Sequence, residues 1–113
     1  MIDPYEMTTS DKITDRIASY ITENLDKPLD VKILSDEYQV SRFTLQRKFK
    51  KRFHQTIHQY ALEKRLLKAH SLLSETNKPV KEITAEVGFK SLSSFTRKFH
   101  KRFHITPAEL RNH

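Results

Sequence analysis

Ser41-Arg42-Phe43-Thr44-Leu45-Gln46-Arg47-Lys48-Phe49-Lys50-Lys51-Arg52-Phe53-His54 returns fifty residues later as Ser91-Leu92-Ser93-Ser94-Phe95-Thr96-Arg97-Lys98-Phe99-His100-Lys101-Arg102-Phe103-His104. Both versions open on serine, close on Phe-His, and keep Arg47/Arg97, Lys48/Lys98, Phe49/Phe99, Lys51/Lys101 and Arg52/Arg102 in register. Upstream the register shifts by one, because Lys90 is an extra residue. Val31-Lys32-Ile33-Leu34-Ser35-Asp36-Glu37-Tyr38-Gln39-Val40 there lies over Val80-Lys81-Glu82-Ile83-Thr84-Ala85-Glu86-Val87-Gly88-Phe89 at an offset of 49. Two copies are too few for a solenoid, whose units must stack in larger numbers to bury a continuous core. The pattern is one helix-pair motif written twice, with a connector between.

Each copy reads as helix, short turn, helix. In the first, Asp30 suits an N-cap, Val31, Leu34 and Tyr38 share a helical face, and Gln39-Val40 turns the chain. Ser41 then caps a second helix running to about Phe53. In the second copy Pro79 suits the first helical turn, and Val80, Ile83 and Val87 form the apolar face. Gly88 turns, and Ser91 caps a helix to about Phe103. Gly88 is the only glycine of the chain, which points to φ > 0 at that turn. Gln39 in the matching place implies strain or a different turn in the first copy. Leu45, Phe49 and Phe53, and likewise Phe95, Phe99 and Phe103, recur at i, i+4, i+8 and read as core stripes.

The flanks extend the helical plan. Ser10 can cap a helix through Asn24 in which Ile13, Ile17, Tyr20 and Ile21 share a face, and Asp26-Lys27-Pro28 ends it. Thr56 to Glu75 contains no Gly or Pro; at 1.5 Å per residue such a helix spans roughly 30 Å. Its apolar residues Ile57, Tyr60, Leu62, Leu66, Leu67, Ala69, Leu72 and Leu73 wrap widely, as on a helix touched by both copies. Thr106-Pro107-Ala108-Glu109 combines a capping box with Pro at the first helical position. The expected architecture is all-α: seven helices, two helix-turn-helix subdomains, and a long linker helix. Residues 1–9 form a flexible N-terminal arm or an appended segment, 10–55 the first subdomain, 56–76 the linker helix and 77–113 the second subdomain.

Charge is distributed as unevenly as the motifs. The net +7 divides into nine acids against four bases over residues 1–37, and seventeen bases against five acids over 38–113. Neither Tyr38–Leu62 nor Val87–Ala108 contains an acid. Two matched acid-free runs point to a polyanionic partner more than to two solvated faces. The absence of Cys excludes disulfides, thiolate catalysis and Cys-based zinc sites, and a lone glycine excludes phosphate-cradling glycine loops. No apolar run approaches the roughly 20 residues of a membrane span, and no signal peptide opens the chain. A cytoplasmic, nucleoid-associated protein without cofactor or enzymatic activity is the expectation. His54/His58 and His100/His104 have a metal-compatible i, i+4 spacing. Each pair lacks a third ligand, so the four read as helix-end or phosphate-facing residues.

A tight turn followed by a strongly basic helix is the shape that reads double-stranded DNA, the second helix entering the major groove with its N-terminal half. With the apolar stripes turned inward, Arg42, Phe43, Gln46, Arg47 and Lys50 face out in the first copy, and Leu92, Ser93, Thr96, Arg97 and His100 in the second. Arg47 offers a two-pronged contact to guanine, Gln46 one to adenine, and Phe43 an apolar surface for a thymine methyl. Base contact is expected from Arg42, Phe43, Gln46, Arg47, Leu92, Ser93, Thr96 and Arg97. Phosphate contact is expected from Ser41, Lys50, Lys51, Ser91 and Lys101. For Lys48, Lys51, Lys98 and Lys101 a solvated surface role stands equally open, as does partial burial for Leu92. The linker length is close to the roughly 34 Å between successive major-groove faces, so one chain suffices for both grooves. The outward residues differ between copies, which predicts an asymmetric site. The alternative is a sequence-tolerant architectural nucleic-acid binder.

Several stretches together are similar to a known family. They are Ser41 to Lys51, Tyr60-Ala61-Leu62-Glu63-Lys64-Arg65-Leu66 with Ala69 and Leu72-Leu73, the run Ile83…Val87-Gly88-Phe89…Ser94-Phe95…Arg97-Lys98-Phe99, and Thr106-Pro107-Ala108-Glu109-Leu110-Arg111. Over about residues 10–112 the chain resembles the AraC/XylS DNA-binding domain, in its short MarA/SoxS-like form. The resemblance implies a seven-helix transcription factor with base contacts from Phe43, Gln46 and Arg47, and from Leu92, Ser93, Thr96 and Arg97. It also implies activation through contact with RNA polymerase. The chain departs from the pattern at Gln39, where relatives often have Gly, and at His54 and His104, where helices usually end in a small or left-handed residue. Leu92-Ser93 also replaces a more polar pair.

Overall fold

Seven helices and no strand occupy the residues described by the computed structural model, 9–112 for the backbone and 12–112 for side chains. They are α1 (Thr9–Glu23), α2 (Val31–Glu37), α3 (Arg42–Phe53), α4 (Ile57–Glu75), α5 (Val80–Glu86), α6 (Leu92–Phe103) and α7 (Pro107–Arg111). Apart from Thr9, already helical, the expected arm lies outside the described residues. Because α1 includes Thr9, Ser10 stands within the helix and is not its cap.

Local chemistry sets these boundaries. The Asp30 carboxylate accepts hydrogen bonds from the backbone N–H groups of Lys32 and Ile33 at 2.9 and 3.3 Å, satisfying donors that the first turn of α2 leaves unpaired. Ser41 does the same for α3 through Thr44 N at 3.0 Å, and Ser91 for α6 through Ser94 N at 3.1 Å. Pro79 stands at the N-cap of α5, one residue before the first turn, with φ −57° and ψ 145°. Both basic helices end on a left-handed histidine, His54 at φ 61° and His104 at φ 60°. A capping box follows each one. Thr56 and Gln59 exchange bonds of 2.9 and 3.1 Å at the head of α4, and Thr106 and Glu109 bonds of 3.2 and 3.1 Å at the head of α7.

The chain forms two compact units, one of residues up to Asn24 with Leu29–Ala61, the other of Leu25–Pro28 with Leu62 onward. In the first unit α3 packs against both α1 and α2. Thr14, Ile17, Ala18, Ile21, Val31, Leu34, Leu45, Phe49, Ile57 and Ala61 are buried there, and the Phe49 ring lies 4.6 Å from Phe53 and 5.4 Å from Tyr60. In the second, Leu66, Ala69 and Leu73 of α4 join Ile83, Val87, Phe95 and Phe99 in one cluster. His70 closes its margin against Phe103 at 4.8 Å.

The spacing of Leu66, Ala69 and Leu73 repeats that of Thr14, Ile17 and Ile21, so the later part of α4 serves the second unit as α1 serves the first. Each unit is a scaffold helix, a helix-turn-helix and a closing capped turn. Two residues of the expected stripes fall off them: Tyr20 and Leu67 are each 41% exposed. At about 100° per residue, Leu67 lies roughly a third of a turn from the centre of the Leu66–Ala69–Leu73 stripe. Ala18 and Thr14, small residues that hydrophobic periodicity passes over, are buried on α1 instead.

Candidate nucleic-acid interface

The first unit presents α3 with its apolar side closed and its opposite side open. Leu45 and Phe49 are 1% and 0% exposed, while Phe43, two residues before Leu45, is 77% exposed. Arg42, Gln46, Arg47 and Lys50 are exposed on the same helix. Phe43, Gln46, Arg47 and Lys50 line one shallow depression, and Thr56 joins them from the head of α4. Nothing in the sequence singled out Thr56 for this face; the cue is its place two residues beyond the left-handed turn at His54, which folds the chain back.

In the second unit Ser93, Arg97, Lys98 and Lys101 are exposed on α6, and Leu92 is 47% exposed. Thr96 is half-buried, the most enclosed of the expected base readers. Ser41 and Ser91 are exposed but act as caps, and the Ser41 hydroxyl also donates to Thr44 Oγ1 at 2.8 Å. Neither α3 nor α6 carries an acid in its first turn, so no carboxylate offsets the positive end of either helix dipole. Their last turns hold Lys50, Lys51 and Arg52, and Lys101 and Arg102, cations that the negative helix end stabilises in its own right.

Two of the arginines in the basic runs are engaged within the protein. Arg52 Nε lies 3.4 Å from Asp15 Oδ1 on α1. Arg102 forks onto Glu63 of α4, with Nε 3.0 and 2.9 Å from the two oxygens and Nη2 2.8 Å from one. The hydrogen bonds and charge of Glu63 push the Arg102 pKa above its ordinary value. Each guanidinium also lies over the ring of the next residue, 5.6 Å from Phe53 and 4.9 Å from Phe103. The repeat thus carries an arginine, its aromatic platform and an acid from the scaffold helix.

The histidine pairs do not share helical faces. His54 and His104 sit at left-handed C-caps, and His58 belongs to the next helix. Among the described residues no three His, Asp or Glu side chains converge on a point where a metal ion would sit. No helix among them is long and apolar enough to cross a membrane.

Known proteins share the fold. Residues 34–113 match a family of helix-turn-helix domains. The regulatory protein SoxS of Escherichia coli strain K12 is 33% identical over 101 residues, covering 89% of this chain and 94% of SoxS. A solved transcriptional regulator from Chromobacterium violaceum, of the AraC-type DNA-binding class, superposes with a TM-score of 0.80 at 32% identity, covering 91% of this chain and 92% of that one. The DNA-binding domain of the global transcriptional factor AdpA, solved in complex with a target DNA, gives 0.82 at 25% identity, covering 88% and 89%.

Proposed function

The chain belongs to the AraC family of helix-turn-helix DNA-binding transcriptional regulators, and from that premise we propose that it is a sequence-specific activator placing α3 and α6 in successive major grooves of an asymmetric site. The observation that carries the reading is the exposed group Phe43, Gln46, Arg47 and Lys50 around one depression of α3. A phenylalanine held 77% in water on a helix that buries Leu45 and Phe49 adds little to the core; it supplies an apolar contact such as a thymine methyl requires. Arg47 and Gln46 read guanine and adenine edges beside it. Arg42 completes the set.

On α6, Arg97 is the principal reader, with Leu92, Ser93 and Thr96 beside it. Ser41, Lys50, Lys51, Ser91 and Lys101 position the helices on phosphates. The nineteen residues of α4 extend about 28 Å, which suits a monomer spanning neighbouring grooves about 34 Å apart. Because Phe43 and Gln46 on one helix correspond to Ser93 and Thr96 on the other, the two half-sites differ. RNA polymerase is the second partner of an activator of this kind, and the cytoplasmic nucleoid its place of work. No cofactor or catalytic step enters the reading.

Selecting bound duplexes from a random DNA pool tests it. The expected product is one asymmetric sequence with two unlike half-sites, preferred at physiological salt by on the order of 10³-fold or more over random DNA. A palindrome bound by two chains sinks the monomer and the asymmetry. Recovery of no preferred sequence establishes the architectural binder instead.

A further inference from the structure

Gln39 and Gly88 make the same turn. Gln39 N bonds Asp36 O at 3.2 Å and Val40 N bonds Ser35 O at 3.0 Å; Gly88 N bonds Ala85 O at 3.1 Å and Phe89 N bonds Thr84 O at 3.0 Å. Both residues have positive φ, 56° and 96°. The first copy bears its positive φ on an exposed glutamine inside the left-handed well, whereas Gly88 lies beyond the range that side chains readily adopt.

The chain laid against Gly88 adds a second reason for glycine. A β-carbon at Gly88 would run into the carbonyl oxygen of Leu25 and come within 2.9 Å of Arg65 Nε. Leu25 opens the segment Leu25–Pro28, which follows α1 in the chain yet belongs to the second unit. Its side chain is buried. Arg65, projecting from α4, holds the segment by two backbone carbonyls: Nε donates to Leu25 O at 3.1 Å and Nη2 to Lys27 O at 3.3 Å. Partial burial lowers the Arg65 pKa, but a guanidinium keeps its charge in proteins, and its planar fork holds the two carbonyls from two separate nitrogens.

We infer that Arg65 is a positioning residue for the second recognition helix: it holds the Leu25–Pro28 strap against the α5–α6 turn, and Gly88 is the residue that lets the strap close. The turn leads through Phe89 and Lys90 directly to Ser91, the cap of α6. A strap pressed on Gly88 therefore fixes the angle at which α6 presents Leu92, Ser93 and Arg97. The inference rests on the proposed DNA-reading function, because positioning matters only if α6 reads bases.

The full chain on its selected duplex provides the test. Arg97→Ala first marks the base pairs that α6 reads, and Arg47→Ala those of α3. If neither substitution relaxes any position, the DNA reading fails whatever the strap does. Once the positions are mapped, Arg65→Lys and Arg65→Gln should each weaken binding on the order of tenfold and flatten preference at the α6 positions alone. Gly88→Ala should do the same, whereas Gln39→Ala should keep preference at both sets. Circular dichroism checks that each variant stays helical, and if Arg65→Gln does not fold, Arg65→Lys, which keeps the stem and the charge, decides. Equal loss at both sets of positions in the Arg65 variants overturns the inference. So does a Gly88→Ala protein that behaves like Gln39→Ala.

Discussion

Arg102 is held by Glu63 through both carboxylate oxygens at 2.8 to 3.0 Å, while Lys101, the residue before it, is exposed on α6. One charge at the end of α6 is thus answered inside the protein, next to one that faces solvent. Lys101→Ala should weaken binding to all DNA sequences alike and flatten the salt dependence by about one unit. Arg102→Ala should leave that slope near the wild-type value. Affinity measured from about 50 to about 200 mM salt checks both, and equal slopes would show that Glu63 releases Arg102 on binding.

Phe43 and Phe49 share a helix and contrast fully. Phe49→Ala removes a ring with no exposed surface and should cost about 3–5 kcal/mol, as should Phe99→Ala in the second unit. Phe43→Ala should stay within about 0.5 kcal/mol of wild-type stability, because most of its surface is already in water, yet it should weaken specific binding. Urea denaturation alongside DNA titration separates the two effects.

Base readers and phosphate grips should leave different signatures. Arg47→Ala and Arg97→Ala should each lose about 1–3 kcal/mol and relax preference at one defined base pair. Lys51→Ala should weaken every sequence by a similar factor. Binding measured across single-base variants of the site distinguishes them; the same flat profile from all three would remove Arg47 and Arg97 from the reading face.

Among the described residues three non-glycines occupy left-handed backbone: Gln39, His54 and His104. Glycine relieves the contact between Cβ and the following carbonyl there, offset in part by its greater freedom in the unfolded chain. Gln39→Gly, His54→Gly and His104→Gly should each stabilise by about 0.5–1 kcal/mol. Thermal melting gives the answer, and a lowered midpoint for any of them would show that its side chain earns more than the strain costs.

What could be read from the letters was what is decided within one or two turns of chain. Asp30, Ser41, Ser91 and Thr106 cap where their side chains reach a donor two or three residues on, and the Phe49 and Phe99 stripes follow from a four-residue period. The family was legible for the same reason, since its motifs are strings of such local choices. Asp15–Arg52 and Glu63–Arg102 were not, because each joins residues 37 or 39 positions apart with no pattern connecting them. The kinship of α1 and the later part of α4 was hidden differently. Thr14, Ile17 and Ile21 match Leu66, Ala69 and Leu73 in spacing but share no letter, so the packing repeats where the sequence does not. At Gln39 the letters left strain and a different turn both open. The backbone adopts the same turn and bears the positive φ.

The strap also gives the molecule a history along its own synthesis. The first unit ends at Ala61, whereas the second reaches back to Leu25, forty residues before the arginine that holds it. On a ribosome Leu25 emerges early and stays unclaimed while α2 and α3 are made. Closing a loop of that length carries an entropic cost, and contacts distant in sequence form late. Translation therefore completes α3 well before it completes the turn that leads into α6, and the strap can close on Gly88 only after α4 and that turn are made.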